Sequence, residues 1–288
     1  MKIKIPGVYE NLPIEVYHAQ SPLGSTGVKQ MHNGTIAHYK YGEFKSKPHF
    51  DIGTAIHIVL LEPENFEKNV LVVENRRTKE YKELKDEIKG SQVIVSRSEY
   101  DKIIRLREKV FSKTENNKIL LSDFGVSEKS AFVRCPKTNI KLKCRPDRVI
   151  EGDLSDILID VKSCQSASYD KVVYDIAKYG YHIQEAFYRY VWQLATGKEI
   201  SRFLFLFVEK EPPFASCIYE IEDSFVNEGR ACMERVLDLY QMAELDGVYN
   251  DFPDEIVKAT FPPYQYKLTD PPEEQTLVLN QPLNLEEI

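Results

Sequence analysis

The stretch at residues 140–163, IKLKCRPDRVIEGDLSDILIDVKS, decides how the chain folds. Its last part, Ile157-Leu158-Ile159-Asp160-Val161-Lys162-Ser163, alternates as a strand does. Ile157, Ile159 and Val161 take one face, and Leu158, Asp160 and Lys162 take the other. Alternate residues on a strand lie roughly 6.5–7 Å apart at Cα, so the Asp160 carboxylate and the Lys162 ammonium project together. Upstream, Lys141, Lys143, Arg145 and Asp147 share one parity, and Ile140, Leu142 and Cys144 share the other. Pro146 has no N–H to give a ladder, so it marks an interruption, an edge or a bulge that aims Asp147 at a neighbour. If the two strands pair, Asp147 and Asp160 share a hard divalent cation of the kind that prefers carboxylate and carbonyl oxygens. Two carboxylates and a lysine then form a site able to hydrolyse a phosphodiester, with the cation activating water and Lys162 opposing the growing negative charge.

An acid-x-Lys triplet alone decides little, because Glu43/Lys45, Glu80/Lys82, Glu83/Lys85 and Glu87/Lys89 have the same form on polar segments. What separates Asp160/Lys162 from them is the apolar alternation around it and the Pro146-Asp147 pair thirteen residues earlier. Segments 127–134, 140–150 and 156–163 read as three consecutive strands, with turn signals at 136–139 and 151–155. Helical patterns follow at 166–178 and 181–196, then strands at 202–209 and 215–220, then a helix at 222–245. Before them, Ser25 and Thr26 are N-cap candidates for a helix running to about Tyr41, and 53–61 reads as a short buried helix ended by Glu62-Pro63. Residues 78–112 read as two surface helices around a short strand at 92–95. Together these elements predict an α/β (α+β) fold, a mixed central sheet flanked by helices with a mainly helical extension, 1–120, wrapped around a core at 121–246.

At 288 residues the chain is long enough for one large domain or two small ones. With 42% hydrophobic and 29% charged residues it is an ordinary folding composition rather than a disordered one. No apolar run is long enough to span a bilayer and the first residues lack an apolar signal core, so membrane and secretory readings are set aside. The five cysteines, Cys135, Cys144, Cys164, Cys217 and Cys232, are an odd set without a CxxC, which argues against a disulfide framework or a zinc knuckle and for a reducing cytoplasm. The net charge of −7 is unevenly spread. Residues 242–288 hold ten acids against Lys258 and Lys267, which leaves residues 1–241 at +1, and 129–148 holds seven basic residues against Asp147 alone. Local basicity therefore survives an acidic total.

The ordered set Pro146-Asp147 and Asp160-Val161-Lys162, with His57 in Gly53-x-x-x-His57 and Gln184-x-x-x-Tyr188, resembles the PD-(D/E)xK nuclease superfamily in its RecB-type branch. The opening Gly7-Val8-Tyr9 and Tyr17-His18, the Gly53-Thr54-Ala55, His57 and Leu61-Glu62-Pro63 run, and Arg145-Pro146-Asp147 look most like RecE-type exonuclease VIII domains. The resemblance covers about residues 7–265. It implies a restriction-endonuclease-like core and a 5′ to 3′ exonuclease acting on linear duplex DNA to leave 3′ overhangs for single-strand annealing. By position it makes Asp147, Asp160, the Val161 carbonyl and His57 ligands of Mg²⁺, for which Mn²⁺ substitutes. Lys162 becomes the catalytic lysine, and Gln184 and Tyr188 hold the site or touch DNA. The second acidic position is Asp where many relatives carry Glu, a shorter arm that keeps an oxygen ligand.

The same resemblance implies double-stranded DNA ends as substrate, a single-strand annealing protein as partner, a homo-oligomeric ring of three or four subunits, and a phage or prophage gene working in bacterial cytoplasm. It makes 1–267 one exonuclease domain and leaves 268–288 as an acidic, extended tail. Arg76, Arg77, Lys143 and Arg145 are candidate DNA contacts, with solvated surface as the alternative. Glu128 stands equally as an orienter of metal-bound water or as an exposed strand-end charge. Gln184 and Tyr188 also fit a packing stripe with Ile183, Phe187, Tyr190 and Leu194. Two other functions compete. One is an iron–sulfur nuclease of the same superfamily, disfavoured because no cysteine precedes Cys135 and only Cys217 and Cys232 follow the core. The other is a catalytically inactive DNA-binding or scaffold protein.

Overall fold

Strand alternation and two apolar faces organise the computed structural model, which describes residues 3–43, 50–88, 92–252, 254 and 256. By internal contacts 1–251 form one unit and 252–288 another, and the expected acidic tail, 268–288, lies outside the described residues. The chain begins with β1 (Gly7–Tyr9), α1 (Ile14–His18), α2 (Ser25–Asn33), α3 (Ile36–Tyr41) and α4 (Phe50–Leu61). The helix expected at 25–41 is broken in two, because Gly34 leaves the helical region and Thr35 restarts it, its side chain accepting from the His38 N–H. Gly24, rather than Ser25 or Thr26, occupies the N-cap of α2. The α4 helix ends where the sequence places its stop, before Glu62-Pro63.

Next come α5 (Phe66–Asn69), β2 (Val70–Val73), α6 (Lys79–Glu87), β3 (Val93–Ser96), α7 (Arg97–Phe111) and α8 (Thr114–Leu120). The two helices around a short strand are present as read, with a Ser96/Glu99 capping box opening α7. The partner of that strand, β2, pairs with it in parallel and had no counterpart in the sequence reading.

The core strands are β4 (Gly125–Ser127), β5 (Ser130–Arg134), β6 (Lys141–Cys144), β7 (Arg148–Ile150) and β8 (Ser155–Cys164). Then follow α9 (Tyr169–Tyr179), α10 (Tyr181–Thr196), β9 (Glu199–Glu209), β10 (Ser216–Tyr219) and α11 (Asp223–Asp246). The expected strands 127–134 and 140–150 are each split between two sheets: β5 and β6 join β1, whereas β4 and β7 join a five-stranded sheet ordered β10-β9-β8-β7-β4. That sheet is mixed, because β8 and β9 run parallel and its other pairs antiparallel.

Helices cover both faces of the five-stranded sheet. Leu158, Phe203, Phe205 and Phe207 pack into a core shared with α2, α10 and α11. Ile159, Val161, Leu204 and Leu206 pack into a second core shared with α4 and α7. This is the predicted alternation of 157–162, with both faces buried instead of one. The side of β8 that carries Asp160 and Lys162 faces α10, whose first turn is pressed against α11 at Gly229. A Cβ there would overlap the His182 carbonyl oxygen, so this close approach requires glycine.

Candidate active site

The site forms where a strand leaves the sheet. β7 pairs with β8 from Ile150↔Ile157 to Arg148↔Ile159, and there the ladder stops. From Asp160 onward β8 has β9 on one side only, and Pro146, without an N–H, leaves no donor unpaired where the chain turns away. The same register sets Asp147 opposite Asp160. The Val161 N–H donates to Asp147 Oδ2 at 2.6 Å and fixes that carboxylate over the opening.

The second crossing between the sheets, from β4 to β5, passes the same place. Its turning residue is Glu128, held at φ 55°, in the left-handed region that non-glycine residues rarely occupy. The Glu128 N–H donates to the Asp147 carbonyl at 2.9 Å, and Arg145 Nε donates to Glu128 Oε2 at 2.6 Å. From α4, His57 brings Nδ1 to 3.5 Å from Asp147 Oδ2. One donor atom each from His57, Glu128 and Asp147 thus lie within 4.8 Å of one another.

Asp160 stands beside this trio as the head of another network. Its Oδ1 meets the Lys162 ammonium, and its Oδ2 accepts from Gln184 Nε2. Gln184 Oε1 in turn accepts from Lys162 Nζ at 3.1 Å and from Lys29 Nζ at 3.2 Å. Asp160 is 2% exposed and Gln184 4%, so these two are shut off from solvent, while Lys162 remains partly open to it. Tyr188, one helical turn beyond Gln184, packs on Phe203 with ring centroids 6.1 Å apart.

The electrostatics fit a cation at the trio. Burial and the nearby Asp160 charge push the Asp147 carboxyl well above its ordinary range. Burial, followed by Asp147, raises Glu128 to about 7. Burial lowers His57 and keeps its ring neutral, the form that binds a metal. Two carboxyls are therefore held together with too little positive charge to ionise both freely, and an oxygen-rich set with one imidazole suits Mg²⁺ or Mn²⁺. On the other network, burial and the neighbouring Lys162 lower Lys29 to about 8.

A cleft of about 1800 Å³ opens over this region, lined among others by His57, Glu128, Arg145 and Tyr181. Asp147 and Tyr188 line a smaller recess of about 480 Å³, which Glu128 and Arg145 also border.

The structure therefore brings together His57, Asp147, Asp160, Lys162, Gln184 and Tyr188, and adds Glu128 and Lys29. Val161 takes part through its main chain, with its N–H on Asp147. Lys29 carried no sequence signal, because it sits on a short helix far from the motif and reaches it only through tertiary packing. The proposed DNA contacts fare differently. Lys143 is buried with its ammonium on the carbonyls of Tyr17 and Gln20, at 2.9 and 2.6 Å. Arg145 is held by Glu128 and by the Leu12 carbonyl at 2.8 Å. Both tie the N-terminal segment to the sheet. Arg76 pairs with Glu99 at 3.2 Å, and Arg77 is exposed beside it, neither of them lining the cleft.

A family model described as a PDDEXK-like domain of unknown function (DUF3799) matches residues 28–248. The match spans most of the chain, which therefore belongs to this family, a PD-(D/E)xK-like nuclease superfamily domain. A crystal structure described as that of a "Putative exonuclease" from Eubacterium rectale is 14% identical, with a TM-score of 0.59, 91% of this chain and 99% of that one covered. At that identity the likeness is one of fold. A second solved structure, SSO0001, is 14% identical over 68% of this chain and 88% of its own, but its TM-score of 0.29 carries no argument. No curated protein matches the chain. No helix among the described residues is long and apolar enough to cross a membrane.

Proposed function

We propose that this member of the PDDEXK-like family is a Mg²⁺-dependent exodeoxyribonuclease that digests linear duplex DNA from its ends, 5′ to 3′, and leaves 3′ single strands for annealing. The observation that carries the reading is the convergence of His57, Glu128 and Asp147 within 4.8 Å, directly beside the paired Asp160 and Lys162. Polarity, the annealing partner and assembly as a ring rest on the motif resemblance to RecE-type domains, and the exonuclease description of the structurally similar Eubacterium rectale protein agrees with end digestion.

His57, Glu128 and Asp147 would hold the cation, with Asp160 adjoining. A divalent ion there supplies acidity to water and counter-charge to the phosphate. The chain's own residues do the rest. Lys162 stands with its ammonium between Asp160 and Gln184, placed to orient a nucleophile and to oppose charge growing on the phosphoryl oxygens. Gln184 and Asp160 fix that ammonium from both sides and Lys29 adds a second positive charge behind it, so little reorganisation remains for the reacting state.

The test uses linear and circular duplexes carrying separate 5′ and 3′ labels, with Mg²⁺ or with EDTA. The expected result is digestion of the linear form only, with Mg²⁺ only, and release of the 5′ label first. Digestion that survives the chelator, or a linear duplex left intact, would refute the reading, and early loss of the 3′ label would reverse its polarity.

A further inference from the structure

A line of alternating ammonium groups and tyrosine rings runs from the exposed surface of α9 to the catalytic lysine. Lys171 Nζ lies 4.7 Å from the Tyr174 ring centroid, and Lys178 Nζ lies 5.5 Å from the same ring and 5.4 Å from that of Tyr179. The Tyr179 and Tyr181 rings are 5.8 Å apart at 36°, and Lys162 Nζ lies 4.8 Å from the Tyr181 centroid. Gly180, at φ 64°, makes the passage possible: its left-handed conformation ends α9 and starts α10 at once, so Tyr179 and Tyr181 meet across the junction.

Tyr181, at the inner end, is half-buried and stacks on Phe205, but the outer part of this line is unlike a packing stripe. Tyr174 is 53% exposed and Tyr179 46%, whereas the packing of α9 is done by Val172 and Ile176. No carboxylate among the described residues pairs with Lys178, and Lys171 shares its charge with Asp175 at 2.7 Å. Lys171, Lys178, Tyr179 and Tyr181 line the large cleft, and Tyr174 continues the line outside it. Exposed aromatic rings interleaved with ammonium groups suit one class of ligand, a nucleic-acid strand with unpaired bases, because the rings stack bases and the lysines meet phosphates. Inside a duplex the base faces are covered by their stacked neighbours, and only an end pair leaves one open.

We propose that Lys171, Tyr174, Lys178, Tyr179 and Tyr181 form a track for single-stranded nucleic acid that leads to Lys162. The proposal deepens the nuclease reading and rests on it for the chemistry at the inner end of the track. The track itself is a binding site and is testable without cleavage.

The full-length protein is titrated in EDTA against a short dye-labelled oligothymidylate and, in competition with it, a closed circular duplex that has no ends and no unpaired bases, with fluorescence anisotropy as the readout. Tyr174→Ala and Tyr179→Ala are each expected to weaken single-strand binding about tenfold, the scale of one lost base stack, while Tyr174→Phe keeps it. Lys178→Ala is expected to weaken it and to make the dependence on log salt shallower by about 0.7, the share of one phosphate contact. Tyr169→Ala, which removes an exposed ring of the same helix outside the line, is expected to leave binding unchanged. Wild-type affinity in the Tyr174 and Tyr179 alanine variants, an equal loss in Tyr169→Ala, or an equal loss on the duplex would overturn the track. Loss of single-strand affinity in a protein that cleaves no DNA would sink the nuclease reading and leave the track standing. Normal cleavage with unchanged affinity in the variants would do the reverse.

Discussion

Gln184→Leu tests whether the lysine is positioned by the protein or merely lies near the acid. Gln184 is buried and makes three charge-assisted hydrogen bonds, one given to Asp160 and two taken from Lys162 and Lys29. Leucine fills nearly the same space and makes none. Each hydrogen bond to a charged group contributes about 1.5–3 kcal/mol, but Asp160 and Lys162 keep each other, so the net loss should be about 2–4 kcal/mol. For a unit of this size that lowers the melting temperature by roughly 5–15 °C. Lys162 would then lack its second anchor, and a small misplacement of a reacting group costs on the order of a hundredfold in rate. Gln184→Glu keeps an acceptor for both lysines but sets a second carboxylate against Asp160, so it should lose stability as pH rises and the new carboxyl ionises, which the leucine variant should not. Thermal melting in EDTA and single-turnover cleavage with Mg²⁺ measure the two effects separately. A leucine variant that melts within about a degree of wild type and cleaves at its rate would show Gln184 to be a packing residue of α10, and the positioning argument would fail.

Lys162→Ala should abolish cleavage, by about a thousandfold or more, while far-UV circular dichroism and duplex binding in EDTA stay near wild type, and full activity in that variant would remove the lysine from the mechanism. Lys29→Met removes the second ammonium on Gln184 and should slow cleavage about tenfold with Mg²⁺ affinity unchanged, as calorimetry would read. Glu128 has an ordinary value of 4.5 and is raised to about 7 in the fold, so between those values the folded state binds the extra proton and the metal-free protein loses stability as pH rises through the window. Urea midpoints in EDTA should therefore show that fall shrinking in Glu128→Gln, which removes the titrating carboxyl, while His57 contributes in the opposite sense and is lowered further once the Glu128 charge is gone. Mg²⁺ binding must displace the Glu128 and Asp147 protons, so affinity should climb as pH rises through about 7, with proton uptake by the buffer visible in calorimetry.

The parts of the site that were legible in the sequence are those fixed by local periodicity. Strand alternation placed Asp160 and Lys162 on one face, and helical spacing placed Gln184 and Tyr188 on one side of α10. The apolar run 53–61 with its Glu62-Pro63 stop placed His57 on a buried helix. Each rests on neighbours within a few residues. What was illegible depends on where the chain changes partners. Nothing in Lys141-Leu142-Lys143-Cys144 distinguishes a strand of the central sheet from a strand of the small one, because both alternate in the same way, and only pairing with β5 or with β8 decides. For the same reason Lys143 and Arg145 read as a free basic face. Alternation gives the side of the strand but not what covers it, and here the cover is the 12–20 segment, whose carbonyls take both cations.

Glu128 follows from that change of partners, and its geometry argues for a role. Both crossings between the sheets, at Glu128 and at Pro146-Asp147, meet at one seam, where the Glu128 N–H bonds the Asp147 carbonyl. A glutamate at positive φ costs of order 1–3 kcal/mol, a cost that glycine at the same turn would relieve, and burial adds the penalty that lifts its carboxyl to about 7. A strand-end charge with no task would sit in solvent at its ordinary pKa. Instead the backbone is held in an unfavourable conformation so that this carboxyl points inward, beside Asp147 and His57, with Arg145 securing one oxygen. Two half-buried carboxyls so close to each other repel when both are ionised, so the metal-free site keeps a proton on one of them, and a divalent cation bound between them would take that proton's place.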